Sequence, residues 1–239
     1  MDVPRGSVVA IVGESGSGKS TVLRSLIGLL SSEGRIAGGQ ILFQGEDLVK
    51  VSQKRLYQIR GRGMSMIFQD AAASFDPRKK IGYQYVEVLR SHFRLSVEEA
   101  GRQAREMLER MQLPDPERVM DSYPFELSGG MIQRVAIAMS VSMRSELLLA
   151  DEPTSALDVT IQAQVVNLLL ELRRNFGTTI IIVTHNLGLA ANIADFIAVM
   201  RSGVLVEKGS RDSIIHSPTE EYTRLLVASV PDMEVASFD

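Results

Sequence analysis

The chain has no cysteine among its 239 residues. That excludes disulfide bridges and thiolate-held metals and suits a reducing compartment. Long hydrophobic runs are missing too: LLLA at 147 to 150 and IIIV at 180 to 183 fall far short of the roughly 18 residues that a membrane-spanning helix needs. Any role at a membrane must then come through a partner. No apolar signal region opens the sequence, which begins MDVPRGS. Charge is almost balanced at a formal −3, so no general attraction to nucleic acid follows. Repeats and low-complexity segments do not occur.

What is present is enough apolar material for a sizeable core. With 45% hydrophobic and 23% charged residues, the chain reads as one globular domain with room for a subdomain. Runs with strand character, bounded by turn residues, lie at 7–12, 40–43, 64–68, 147–151, 179–184, 197–200 and 204–207. Helical spacing of apolar residues occurs at 19–30, 128–143 and 159–175, as expected of crossover helices on a parallel sheet. From about Ala71 to Ser145 the strand signal is weak and helical periodicity takes over. This segment is expected to be a helical subdomain, residues 71–145, inserted into an α/β core formed by 1–70 and 146–239.

Between the first strand and the first helix stands GESGSGKS, Gly13 to Ser20. It fits G-x-x-x-x-G-K-[ST] in the strand-turn-helix context that the motif requires. Its glycines let backbone N–H groups approach a polyphosphate, and the helix N-terminus adds positive potential. Lys19 is placed to reach terminal phosphates and Ser20 to offer a hydroxyl to Mg²⁺. By chance the pattern is expected in about one chain in a hundred of this length, given average glycine usage.

A grip on phosphate does not imply hydrolysis, which needs carboxylates for a metal and a water. LLLADEPTSALD supplies them, since the apolar run Leu147 to Ala150 ends in Asp151 and Glu152, and ligands of open α/β sheets gather at such strand ends. Asp151 is expected to hold Mg²⁺ and Glu152 to orient or deprotonate water. In LSGGMIQR, Ser128 has the character of an N-cap, and Gly129 and Gly130 leave the first helical amides open to an anion.

These motifs, together with Gln69 and His185, resemble in kind and order the ATP-binding subunits of ABC transporters. The similarity spans nearly the whole chain. It is strongest toward importers of peptides and nickel, through MIFQD at 66–70, DEPTSALDVTIQAQ from 151, VTHNLG from 183 and SPTEEYTRLLVASVP at 217–231. The resemblance implies a P-loop NTPase (RecA-like) α/β core with a mostly parallel sheet, and a subunit that couples ATP and Mg²⁺ to import of a peptide or nickel chelate. It further implies a second ATPase subunit, an integral membrane permease, a solute-binding protein reached indirectly, and a peripheral position on the cytoplasmic face of the membrane.

Residue by residue, the resemblance implies that Gly13, Glu14, Ser15, Gly16, Ser17, Gly18, Lys19, Ser20 and Thr21 hold one face of ATP. Ser128, Gly129 and Gly130 contact the nucleotide held by the other subunit. Gln69 senses Mg²⁺ and water, His185 touches the γ-phosphate, and Asp158 links the two sites. The remaining histidines, His92 and His216, read as surface groups, and Arg201 and Lys208 as solvated charges.

The family pattern is departed from in three places. Met131 stands where Gln is usual, Asn186 replaces the Asp that commonly follows the switch histidine, and alanines follow FQD. Upstream of the P-loop strand only MDVPRG occurs, where members carry two strands and an adenine-stacking aromatic residue. The antiparallel β part is thus expected to be incomplete. A late start of the chain is the favoured reason, and the alternative is that the domain holds ATP mainly by its phosphates. An ABC ATPase acting on DNA or ribosomes is the alternative function, although such proteins usually bring a coiled-coil insertion or tandem domains. A P-loop kinase would have no use for LSGG.

Overall fold

The computed structural model describes residues 1–229. Val230 and Pro231, the last two residues of the SPTEEYTRLLVASVP stretch, lie outside the described residues. In chain order, β1 (Val8–Val12), α1 (Lys19–Leu26), β2 (Leu42–Phe43), β3 (Glu46–Asp47) and α2 (Gln53–Ile59) come first. They are followed by β4 (Met64–Ile67), α3 (Ile81–His92), α4 (Val97–Arg110), α5 (Pro116–Asp121) and α6 (Gly129–Ser142). The remainder comprises β5 (Leu147–Asp151), α7 (Val159–Phe176), β6 (Thr179–Thr184), α8 (Leu187–Ile193), β7 (Phe196–Arg201), β8 (Val204–Ser210), α9 (Arg211–His216) and α10 (Glu221–Ala228). The chain divides into two compact units, 1–60 with 149–152 and 179 onward, and 61–148 with 153–178.

The first unit is built on the sheet order β5-β6-β1-β7-β8. β1 runs parallel to both β6 and β7, with Val12 opposite Thr184 on one side and Val199 on the other. β8 returns antiparallel to β7. All five residues of β1 are at most 3% exposed, which is why the strand reads as an unbroken Val/Ile/Ala run instead of an alternating one. α1 is shorter than its apolar spacing suggested. Gly28 takes φ +69°, and its N–H and that of Leu29 return to the carbonyls of Ser25 and Arg24. This Schellman closure stops the helix at the glycine although apolar residues continue beyond it.

In the second unit the helices α3 to α6 pack through apolar stripes. Ile81, Tyr85 and Leu89 recur every four residues on α3 and are at most 1% exposed. The Tyr85 hydroxyl lies 2.8 Å from Ser142 Oγ of α6, and burial pushes the phenol well above its ordinary pKa. α4 starts with a reciprocal capping box, Ser96 with Glu99. α7 is capped by the Asp158 carboxylate at one end and closed by left-handed Gly177 at the other. His92 corrects an expectation: it is half-buried against the α-carbon of Gly61, where a Cβ would stand 2.2 Å from the imidazole. Burial and the nearby Arg62 charge lower its pKa.

Candidate functional site

The loop after β1 is held from both sides of its backbone. Lys19 Nζ donates to the carbonyls of Gly13 and Glu14, each at 2.8 Å, and Gly203 N–H donates to the carbonyl of Ser17. Three loop glycines have φ values that side chains rarely adopt: Gly13 at +151°, Gly16 at +79° and Gly18 at +90°. Gly18 is the left-handed residue before α1, and no side chain caps that helix. The first-turn amides of α1, at Lys19, Ser20 and Thr21, therefore have no intrahelical acceptor and form a place for an anion. Glu14, Ser15 and Gly16 face solvent, while Ser17 and Lys19 are buried. Burial lowers the Lys19 pKa, and the charges of Glu152 and Asp151 oppose that shift.

The carboxylates meet this loop at the end of β5. Ser20 Oγ donates to Asp151 Oδ1 at 2.7 Å. Asp151 is 1% exposed, and burial raises its pKa, against the hydrogen bond from Ser20 and the nearby Arg24 charge. Glu152 turns the chain at φ +47°, a left-handed conformation that costs a non-glycine residue about 1–3 kcal/mol and gathers at functional sites. Its N–H is tied to the carbonyl of Val183 at 2.9 Å, so the turn is fixed by β6. Its carboxylate Oε1 lies 2.8 Å from His185 Nδ1. Because an ionised carboxylate only accepts, Nδ1 is the protonated nitrogen and Nε2 is the one left to meet a ligand. Asn186 caps α8 by accepting from Leu189 N–H at 3.0 Å, a duty that Asn and Asp perform alike.

Thus Lys19, Ser20, Asp151, Glu152 and His185 come together within the first unit. Gln69, Ser128, Gly129, Gly130 and Asp158 belong to the second unit, and all but the half-buried Gly130 are exposed. Ser128 Oγ accepts from Met131 N–H at 3.3 Å, the expected N-cap. Sequence reasoning missed the residues that brace these segments. Arg134 donates to the carbonyls of Gly130, Met111 and Gln112, which clamps the glycine pair to the end of α4. Gln162 donates to the carbonyls of Thr154 and Leu157 and so holds the turn before Asp158. Their only signal is position, one turn into a helix that follows a glycine- or serine-rich loop. Arg201, exposed as expected of a solvated charge, also lays its guanidinium over the Tyr222 ring, 4.8 Å from the centroid.

A glycine-rich loop between a buried parallel strand and a helix, with acidic residues at the end of a second strand of the same sheet, one strand away, defines a P-loop α/β protein. Residues 1–155 match the ABC transporter family, and the chain belongs to it. The oligopeptide transport ATP-binding protein OppD of Bacillus subtilis is 47% identical over 96% of this chain and 64% of its own length. The dipeptide transport ATP-binding protein DppD of the same organism is 42% identical over 98% of this chain and 70% of its own. The chain thus spans about two thirds of the curated relatives it matches. The ATP-binding cassette MJ0796, solved as a dimer in a post-hydrolysis state bound to ADP and Pi, superimposes with a TM-score of 0.80. It has 28% identity and 88% of each chain is covered.

Proposed function

We propose that this chain binds and hydrolyses ATP as the nucleotide-binding subunit of an importer of short peptides, with residues 71–145 as its helical subdomain. The observation that carries the reading is the grouping, in one compact unit, of the P-loop lysine, the Ser20–Asp151 pair and the Glu152–His185 pair. Residues 13 to 21 grip the triphosphate, with Lys19 keeping the Gly13 carbonyl and exchanging that of Glu14 for a phosphate oxygen. Glu152 takes a proton from the attacking water, and the bond to His185 Nδ1 fixes its rotamer. His185 turns Nε2 to the γ-phosphate. The water oxygen bonds to phosphorus as the bond to the bridging oxygen breaks, which leaves ADP and phosphate.

The donor set fits Mg²⁺: the Ser20 hydroxyl and the Asp151 carboxylate are oxygen ligands side by side, and magnesium takes its other ligands from water and phosphate. When bound, the ion neutralises charge on the β- and γ-phosphates.

In the proposed assembly a second ATPase subunit presents its Ser128, Gly129 and Gly130 to the nucleotide held here, and Asp158 couples the two sites. Closure on ATP and release after hydrolysis would drive a separate permease at the cytoplasmic face of the membrane, fed by a solute-binding protein. No helix among the described residues is long and apolar enough to cross a membrane, which agrees with a permease on other chains. The names of the oligopeptide and dipeptide relatives support peptides as the solute.

Glu152→Gln tests the reading. It is expected to keep ATP binding and form an ATP-dependent dimer by size exclusion, while phosphate release falls about 100- to 10,000-fold. Undiminished phosphate release would remove Glu152 from its role. Recovery of the wild-type chain with ribosomes or DNA instead of integral membrane proteins would overturn the importer assignment.

A further inference from the structure

The last described helix, α10, reaches the phosphate loop through one hydroxyl. Glu14 N–H donates to Tyr222 Oη at 3.3 Å. The same peptide group carries the Gly13 carbonyl, which accepts from Lys19 Nζ at 2.8 Å. Tyrosine and lysine therefore hold opposite ends of one peptide plane, and its tilt sets where the ammonium group rests. Neither anchor of Tyr222 is loose. Its ring is 7% exposed and lies under the Arg201 guanidinium, a cation–π contact at the end of β7. The segment leading into α10 is fastened to β8, because Glu207 accepts from Thr219 N–H, Thr219 Oγ1 and Glu220 N–H at 2.8, 2.8 and 3.2 Å. β8 pairs with β7 and β7 with β1, which closes a circuit from the sheet through α10 back to the loop.

We propose that Tyr222 is a positioning residue for nucleotide binding, acting through the Gly13–Glu14 peptide on Lys19. The inference rests on the nucleotide-binding reading above. Its chemistry predicts a preference: a group that places the lysine affects ligands with terminal phosphates and leaves a nucleoside monophosphate, too short to reach Lys19, unaffected.

Tyr222→Phe removes the hydroxyl and keeps the ring and its stacking. Titration of the full chain with ATP, with AMP and with ATP against Lys19→Ala tests the idea. A bond of this length is expected to be worth about a three- to fivefold loss of ATP affinity, at the modest end of hydrogen-bond contributions. AMP affinity should stay at its wild-type value. Amide exchange across residues 13 to 20 should speed up, a readout independent of turnover. Equal ATP affinity in Tyr222→Phe and wild type overturns the inference, as does an equal loss for ATP and AMP. If Lys19→Ala also binds ATP like wild type, the nucleotide reading itself has failed; if only Lys19→Ala is impaired, the role of Tyr222 alone is rejected.

Discussion

Replacing Gly13 by alanine would put a Cβ 2.1 Å from the carbonyl oxygen of Met200 and 3.1 Å from its carbon. An ordinary carbon–oxygen approach is roughly 3.3 Å, so about 1.2 Å has to be absorbed. The obstacle is strand backbone. β7 is locked to β1 in parallel register, Val199 opposite Val12, and both residues are at most 2% exposed. Overpacking of this kind costs about 1–3 kcal/mol, and forcing a side chain onto φ +151° adds about 1–3 kcal/mol. Together these give about 2–6 kcal/mol, or a fall in melting temperature of about 4–24 °C for a chain of this size. Gly16 is the internal control. Its φ is +79°, but nothing lies within 4 Å of a Cβ there, so alanine meets only the left-handed strain of about 1–2 kcal/mol. Thermal unfolding of the ligand-free variants, followed by circular dichroism, compares them directly. If Gly13→Ala melts within about 2 °C of wild type, or above Gly16→Ala, the steric argument is wrong.

Asp151→Asn should melt higher than wild type at neutral pH. Burial raises the folded-state pKa of Asp151, so its favourable contribution exists below the unfolded value and is lost as pH rises through the folded one. The gain from Asn should therefore shrink in acid, and a lower midpoint at pH 7 would contradict the sign. His92 shifts the opposite way: its pKa is lowered by burial, so protonating it below its ordinary value favours the unfolded chain. Wild type should lose more stability than His92→Asn between pH 7 and 5, and parallel pH profiles would refute this. Ser65 and Ser145 form a buried hydroxyl pair at 2.7 Å. Ser65→Ala should cost about 1–3 kcal/mol by stranding its partner, and the double alanine variant no more than the single one. A strictly additive double variant in denaturant unfolding would exclude the coupling.

Elements with strong local signals were legible in the sequence. β5 and β6 have the bounds that their apolar runs suggested, and α7 lies between an Asp cap and a glycine stop. The helices α2, α8, α9 and α10 went unrecognised because six to eight residues give too few turns for a period of 3.6 to stand out. β2, Leu42–Phe43, falls inside the expected strand run at 40–43, whereas the two residues of β3 carry no alternation to detect. Among the candidate site residues, the glycine-rich loop and the acidic strand end could be picked out because their chemistry is contained in a few consecutive positions. Arg134, Gln162 and Tyr222 could not, since each acts on backbone carbonyls or amides that no composition rule names.

By itself the sequence determined what neighbouring residues can do to one another: where φ turns positive, where a serine or aspartate caps a helix, and where a lysine follows a phosphate-sized turn. Those effects depend on atoms a few bonds apart. The tertiary structure alone decided which distant groups share a space. Parallel register brings Val12, the last residue before the phosphate loop, beside Thr184, which precedes His185. The turn at Glu152 then delivers its carboxylate to an imidazole 33 residues away, and α10 sets a hydroxyl on the loop across 208. Burial of the sheet on both faces forces that alignment, because a one-residue slip would misplace every ladder hydrogen bond and every apolar side chain at once.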